Sequence, residues 1–237
     1  MATNARYGRP KIVLGAMEHG RRLSETDAKK VTLDFLQNGS DEIDTAYVYV
    51  GGQSEKILGR MQKDILIPNN ALIATKIFPT PKGSVHGFSA KGILHQFNES
   101  LRRLQTECVD ILYLHFPDPQ NSLLETLKVI NDLYLDKKFK RFGLSNFSSW
   151  QVTEIVYLCQ KYNYIKPTIY QGMYNAITRD IERELIHCLK RFNIKFYAYN
   201  IIAGGILSGK HKFDDKNKGI QAGRFSGPQG MYYCIIS

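Results

Sequence analysis

The chain lacks any apolar stretch near the roughly 18 residues a membrane-spanning helix needs. Its N-terminus, Met1 to Arg9, is polar and carries no apolar signal core. These two absences argue against a membrane protein or a secreted one, and the expected location is cytoplasmic. The cysteines Cys108, Cys159, Cys188 and Cys234 are scattered, with no C-x-x-C pair, so free thiols are expected and no metal site is read. Without a secretory route, the Asn-x-Ser triplets at Asn38, Asn98 and Asn146 carry no meaning for glycosylation. A further absence concerns nucleotides. The first apolar run is followed by Gly15-Ala16-Met17-Glu18-His19-Gly20, not by the G-x-G-x-x-G of a doubly wound dinucleotide fold.

What is present is enough for one sizeable core and too little for two large domains: 237 residues, 43% of them hydrophobic. A charged fraction of 23% and a mean hydropathy of -0.30 suit an ordinary globular chain. The net charge is +10. That balance favours anionic partners, among them a phosphorylated cofactor. The basic residues form no single block, and the densest run, Lys137 to Arg141, contains Phe139 and reads as a helix end running into a strand. Nucleic acid is therefore not expected as a partner.

Short runs rich in Ile, Val, Leu, Phe and Tyr alternate with amphipathic helical patterns. The strands are read at Lys11–Leu14, Asp41–Asp44, Leu72–Lys76, Val109–His115, Phe142–Ser145, Thr168–Gln171 and Phe196–Tyr199. They do not alternate strictly, as suits parallel strands covered on both faces. Ser24 caps a helix with Ala28, Val31, Phe35 and Leu36 inward, ended by Asn38-Gly39. Ser89 caps another with Ile93, Leu94, Phe97, Leu101 and Leu104 inward. Further stripes are Leu124 to Tyr134, Val152 to Cys159 and Ile181 to Leu189, all expected to pack on a sheet. This order predicts an α/β fold, and the missing glycine fingerprint favours a (β/α)8 TIM barrel over an open sheet.

In such a barrel the active site gathers at the C-terminal ends of the strands. Here those ends carry Asp44, Lys76, His115, Ser145-Asn146, Gln171 and Tyr199-Asn200. Each alone has a structural explanation: an ion pair in the core, a satisfied core histidine, a packing aromatic. Their convergence on one mouth points to an enzyme.

The same residues carry a family resemblance. Asp44-Thr45-Ala46-Tyr47-Val48-Tyr49 with Gly52-Gln53-Ser54-Glu55, Ala74-Thr75-Lys76, Tyr113-Leu114-His115, Gly143-Leu144-Ser145-Asn146 and Tyr197-Ala198-Tyr199-Asn200 together resemble the aldo-keto reductases. Gly15 to Glu18 and Tyr170 to Ala176 look like the aflatoxin B1 aldehyde reductase branch of that family. The resemblance implies NADPH-dependent reduction of aldehydes, and of some ketones, to alcohols. It gives Tyr49 the role of general acid, assisted by Lys76, Asp44 and His115. Tyr47 lies two residues away, and the family spacing selects Tyr49.

By the same resemblance, Asp44, Ser145, Asn146, Gln171, Tyr199, Asn200, Ile202, Gly204, Lys210 and Arg224 would hold NADPH or NADP+. Of these, Ser145, Asn146 and Gln171 would face the nicotinamide carboxamide, and Tyr199 would stack on the ring. Met17 and Arg22 would touch substrate beside Tyr49 and His115. A solvated surface arginine is an equal reading for Arg22. Gly204 to His211, G-G-I-L-S-G-K-H, nearly matches a phosphate-binding loop, but His211 stands where a metal-binding Ser or Thr belongs and Ile206-Leu207 is too apolar.

One departure concerns the C-terminus. The reading finds about seven strands, an aldo-keto reductase barrel over residues 1–225 and a divergent tail over 226–237. The expectation is an incomplete barrel in a truncated form, with an open edge that invites association such as homodimerisation. Met231 to Ile236 offers a substitute eighth strand. The alternative function is a catalytically impaired isoform that binds the full-length protein.

Overall fold

A computed structural model describes residues 10–79 and 87–210. Seven strands form one parallel sheet in sequence order: β1 (Leu14–Gly15), β2 (Glu42–Asp44), β3 (Leu72–Ile77), β4 (Val109–Leu114), β5 (Phe139–Ser145), β6 (Pro167–Met173) and β7 (Lys195–Tyr199). Helices fill the crossovers: α1 (Glu25–Gln37), α2 (Gln53–Met61), α3 (Ala90–Leu104), α4 (Leu123–Leu135), α5 (Ser149–Lys161) and α6 (Leu185–Arg191). The sheet curls far enough for side chains to meet across its concave face. Gln171 of β6 reaches Asp44 of β2 at 3.0 Å, and Tyr197 of β7 reaches Glu42 at 3.3 Å. This is the curled, partial form of a (β/α)8 barrel.

Two cores hold it. The larger lies between sheet and helices, where Ile43, Leu112 and Leu144 meet Ala28, Ile93, Phe97, Leu127, Ile130 and Ile155. The smaller fills the lumen with Ala74, Ile111, Tyr113 and Ile169, and Tyr197 packs against it. Every second residue of a strand points into the lumen, which explains the two-sided burial of strands that do not alternate apolar with polar. Gly143 is required here. A Cβ at that position would sit 2.4 Å from the Tyr113 ring.

The expected capping is present. Ser24 accepts from the Asp27 N–H at 3.1 Å, and Ser89 accepts from the Gly92 N–H at 3.2 Å. Several details differ from the sequence reading. The first strand is shorter than Lys11–Leu14, because Lys11 turns outward to an ion pair with Asp41 at 2.6 Å. Val31 and Leu94, expected inward, are exposed at 38% and 41%, since each lies at the margin of its apolar stripe. Ile181 sits in a separate 3-10 turn, Asp180–Glu182, ahead of α6. α2 was missing from the reading altogether. It starts after Gly52 with no capping side chain, and its buried face includes the polar Ser54 and Glu55.

Among the described residues β1 and β7 pair only with β2 and β6 respectively. The tail 226–237, the substitute strand Met231 to Ile236, His211 and Arg224 lie outside the described residues.

Candidate active site

The polar strand ends do converge. Lys76, on β3, is wholly buried, and its ammonium donates to Asp44 Oδ2 at 2.5 Å and to the Thr45 carbonyl at 2.8 Å. The same Nζ lies 5.0 Å from the centre of the Tyr49 ring and 5.6 Å from that of Tyr113. Burial pulls the Lys76 pKa down, but the charges and hydrogen bonds of Asp44 and Tyr49 outweigh it and raise the pKa above its ordinary value. Lys76 is therefore a fixed cation. His115 meets Tyr49 edge-on at 5.7 Å. Burial, reinforced by the charge on Lys76, lowers its pKa to about 3, so the imidazole is neutral near neutral pH. Its Nδ1 is buried without a hydrogen-bond partner among the described residues.

Tyr47 and Tyr49 stand in different surroundings. Tyr47 lies under the Arg103 guanidinium, 4.5 Å from its ring centre, on the α3 side. Tyr49 is the one beside Lys76 and His115. Its position depends on a strained loop. Val50 has φ 51 and ψ 42, followed by Gly51 at φ 60 and Gly52 at φ 88. A β-branched residue in the left-handed region is costly and persists only where surrounding contacts dictate it.

Around this loop the contacts come from residues of the Gly52 to Glu55 motif and from Arg103 of α3. Glu55, fully buried, accepts from Thr75 at 2.7 Å and from Arg103 at 3.1 Å. Arg103 also donates to the Tyr47 carbonyl at 2.9 Å. Its guanidinium lies so close to Gly52 that a Cβ there would sit 2.4 Å away. Ser54 links Thr45, at 2.7 Å, to the Ala16 carbonyl, at 2.8 Å. Glu55 was legible as part of the Gly52-Gln53-Ser54-Glu55 motif. Arg103 carried no signal, because it lies on a different helix, far along the chain.

Opposite this corner, Asn146 (φ 64) donates to the His115 carbonyl and to Ser145 Oγ, both at 3.0 Å, and accepts from the Tyr199 hydroxyl at 2.7 Å. Gln171 bonds Asp44. Ser145 lies opposite Gln171 in the β5–β6 register, and Asn146 joins Ser145 to the Tyr199 hydroxyl, so hydroxyl and amide groups neighbour one another at this rim. Asn200 (φ 57) accepts the Gly204 N–H at 2.7 Å and so shapes the loop after β7. Ile202 and Lys210 are exposed there. Ala203–Ser208 forms a 3-10 turn kinked at left-handed Gly204 and Gly205, and the residues that follow Lys210 lie outside the described ones. In the first loop Met17 is half-buried. Arg21 pairs with Glu18, and Arg22 lies 3.8 Å from the same carboxylate.

The family model for the Aldo/keto reductase family matches residues 11–226. The chain belongs to this family. It is 45% identical over 228 residues to "Aldo-keto reductase family 7 member A3" of Homo sapiens, covering 96% of this chain and 68% of the relative. It is 44% identical over 230 residues to "Aflatoxin B1 aldehyde reductase member 4" of Homo sapiens, covering 97% of this chain and 69% of the relative. To "Aflatoxin B1 aldehyde reductase member 2" of Mus musculus it is 44% identical over 220 residues, with 92% and 59% covered. The chain therefore spans between 59% and 69% of the length of these relatives. Members of the family are oxidoreductases that generally use NAD(P)H. Among the described residues no helix is long and apolar enough to cross a membrane.

Proposed function

We propose that this chain reduces aldehydes to alcohols with NADPH, through a barrel domain spanning residues 1–225, in the cytoplasm. The observation that carries the reading is the position of the Lys76 ammonium, held by Asp44 at 2.5 Å and set 5.0 Å from the Tyr49 ring, with neutral His115 alongside. When bound, the nicotinamide supplies a hydride. Ser145, Asn146 and Gln171 would hold its carboxamide, and the Tyr199 ring would support one face. Asn200, Ile202, Gly204 and Lys210 would wrap the pyrophosphate, with Arg224 as a further phosphate contact.

The aldehyde oxygen is placed between the Tyr49 hydroxyl and the His115 imidazole. A neutral histidine suits that task, since it donates a hydrogen bond without a charge that would oppose Lys76. As negative charge develops on the oxygen, Tyr49 gives up its proton, and the Lys76 ammonium stabilises the phenolate left behind. Asp44 keeps the ammonium in place. Met17 and Arg22 border the substrate entrance. With Arg21 and Arg22 both drawn to Glu18, the first loop offers a partly neutralised cation.

The purified chain, mixed with NADPH and 4-nitrobenzaldehyde, is expected to quench its own fluorescence on cofactor binding and to consume NADPH. A folded chain that neither binds nor turns over contradicts the enzyme reading. It leaves instead the reading of an impaired isoform that binds the full-length protein.

A further inference from the structure

Gln171, at the end of β6, donates Nε2 to Asp44 Oδ1 at 3.0 Å across the lumen. The other oxygen of Asp44 accepts from Lys76 Nζ at 2.5 Å. Both Asp44 and Gln171 are buried, 8% and 9% exposed. One carboxylate thus divides its charge between the ammonium that faces Tyr49 and an amide from the opposite wall. An amide also has a second hydrogen and a carbonyl oxygen, so Gln171 can hold Asp44 and a carboxamide at the same time.

We propose that Gln171 is a positioning residue for proton transfer: through Asp44 it sets how much of the Lys76 charge acts on the Tyr49 hydroxyl, and so couples cofactor occupancy to the proton donor. The proposal rests on the reading that Tyr49 is the general acid. The physics is that of a shared acceptor. A donor to a carboxylate disperses its negative charge. Take the donor away, and the carboxylate cancels more of the ammonium's field at the phenol. In a buried site of low dielectric that difference is not screened. A carboxamide that engages the Gln171 carbonyl polarises the amide and strengthens its donation to Asp44. Docking of the cofactor thereby releases more of the Lys76 field toward Tyr49. An uncharged donor is the group that can do this. A cation at position 171 would compete with Lys76 for Asp44, and an anion would repel the carboxylate.

The test uses the full chain and two readouts. Phenolate formation is followed by ultraviolet difference titration, with Tyr49→Phe subtracting the other tyrosines. The pH dependence of kcat is followed at saturating NADPH. In Gln171→Met the Tyr49 phenolate is expected at higher pH, by roughly half a unit or more. The alkaline limb of kcat moves the same way, and NADPH binds more weakly. Weaker NADPH binding with an unmoved limb and an unmoved phenolate titration overturns the proposal and leaves Gln171 as a cofactor contact only. If no aldehyde is turned over, the enzyme reading fails by itself, while the phenolate titration of Gln171→Met against the unmutated chain still decides the coupling.

Discussion

The two sides of the barrel mouth are built differently. On the β2–β4 side, Asp44, Lys76 and Tyr49 are fixed by layers of contact: Thr45 to Ser54 to Ala16, and Glu55 to Thr75 and Arg103. On the β7 side, strand residues Lys195 and Ala198 are exposed, and the following loop presents Ile201, Ile202, Ile206 and Leu207 to solvent among the described residues. Groups that transfer a proton must be held within fractions of an ångström, and burial with full hydrogen bonding is how a protein does that. A segment that must let a large cofactor in and out draws on the less stable end of the structure. On the proposed reading, the side that transfers the proton is a finished piece of core, while the side that would take the cofactor is, among the described residues, a strand edge and a loop.

The sharpest way to break the comparison is to remove the cation. Lys76→Met is expected to lower kcat by about 100-fold or more, the scale of a lost acid-base contribution, while the fluorescence response to NADPH survives. Loss of both together would mean that Lys76 serves the cofactor side as well. Next comes the buttress. Glu55→Ala leaves Arg103 with Glu99, at 2.9 Å, as its remaining carboxylate and Thr75 without its acceptor, and should cost about 2 kcal/mol. The expected readout is a lower Tm with activity falling in parallel. An unchanged Tm would show that the Tyr49 corner does not depend on this pair.

Smaller effects sharpen the picture. His19 is fully buried, and neither ring nitrogen has a hydrogen-bond partner among the described residues. Burial lowers its pKa below the ordinary value of 6.5. A histidine held neutral in the fold binds its proton more readily once unfolded, so stability is lost as pH falls below that value. His19→Met should raise Tm by the equivalent of about 1 kcal/mol near neutral pH and by more at pH 5. A gain that does not grow toward acid pH would contradict this account. Val50→Gly should relieve backbone strain worth about 1 kcal/mol and yet slow turnover, because the loop that aims Tyr49 loses its constraint. Faster turnover in this variant would mean that the strain does not serve the site.

Much of this was legible in the sequence. The strand ends announce the mouth because Asp, Lys and His at the close of apolar runs conflict with a purely structural role. The helix stripes and serine caps follow from periodicity. What escaped was what periodicity cannot encode. α2 is a short helix whose buried face includes Ser54 and Glu55, and it begins after a left-handed glycine, so neither a clean stripe nor a cap marks it. The pairing of Glu55 with Arg103 and the sharing of Asp44 between Lys76 and Gln171 join residues that only the folded, curled sheet brings together. The exposed Val31 and Leu94 show the converse: an apolar residue at the edge of a stripe is not thereby buried, since folding covers only part of the apolar surface.

The most direct test compares two neighbouring tyrosines. NADPH consumption with 4-nitrobenzaldehyde is measured in Tyr49→Phe and in Tyr47→Phe, both saturated with cofactor. The account predicts that Tyr49→Phe loses turnover by about 100-fold or more while Tyr47→Phe keeps most of it, because only the Tyr49 hydroxyl stands beside Lys76 and His115. Equal losses, or the greater loss in Tyr47→Phe, would contradict it.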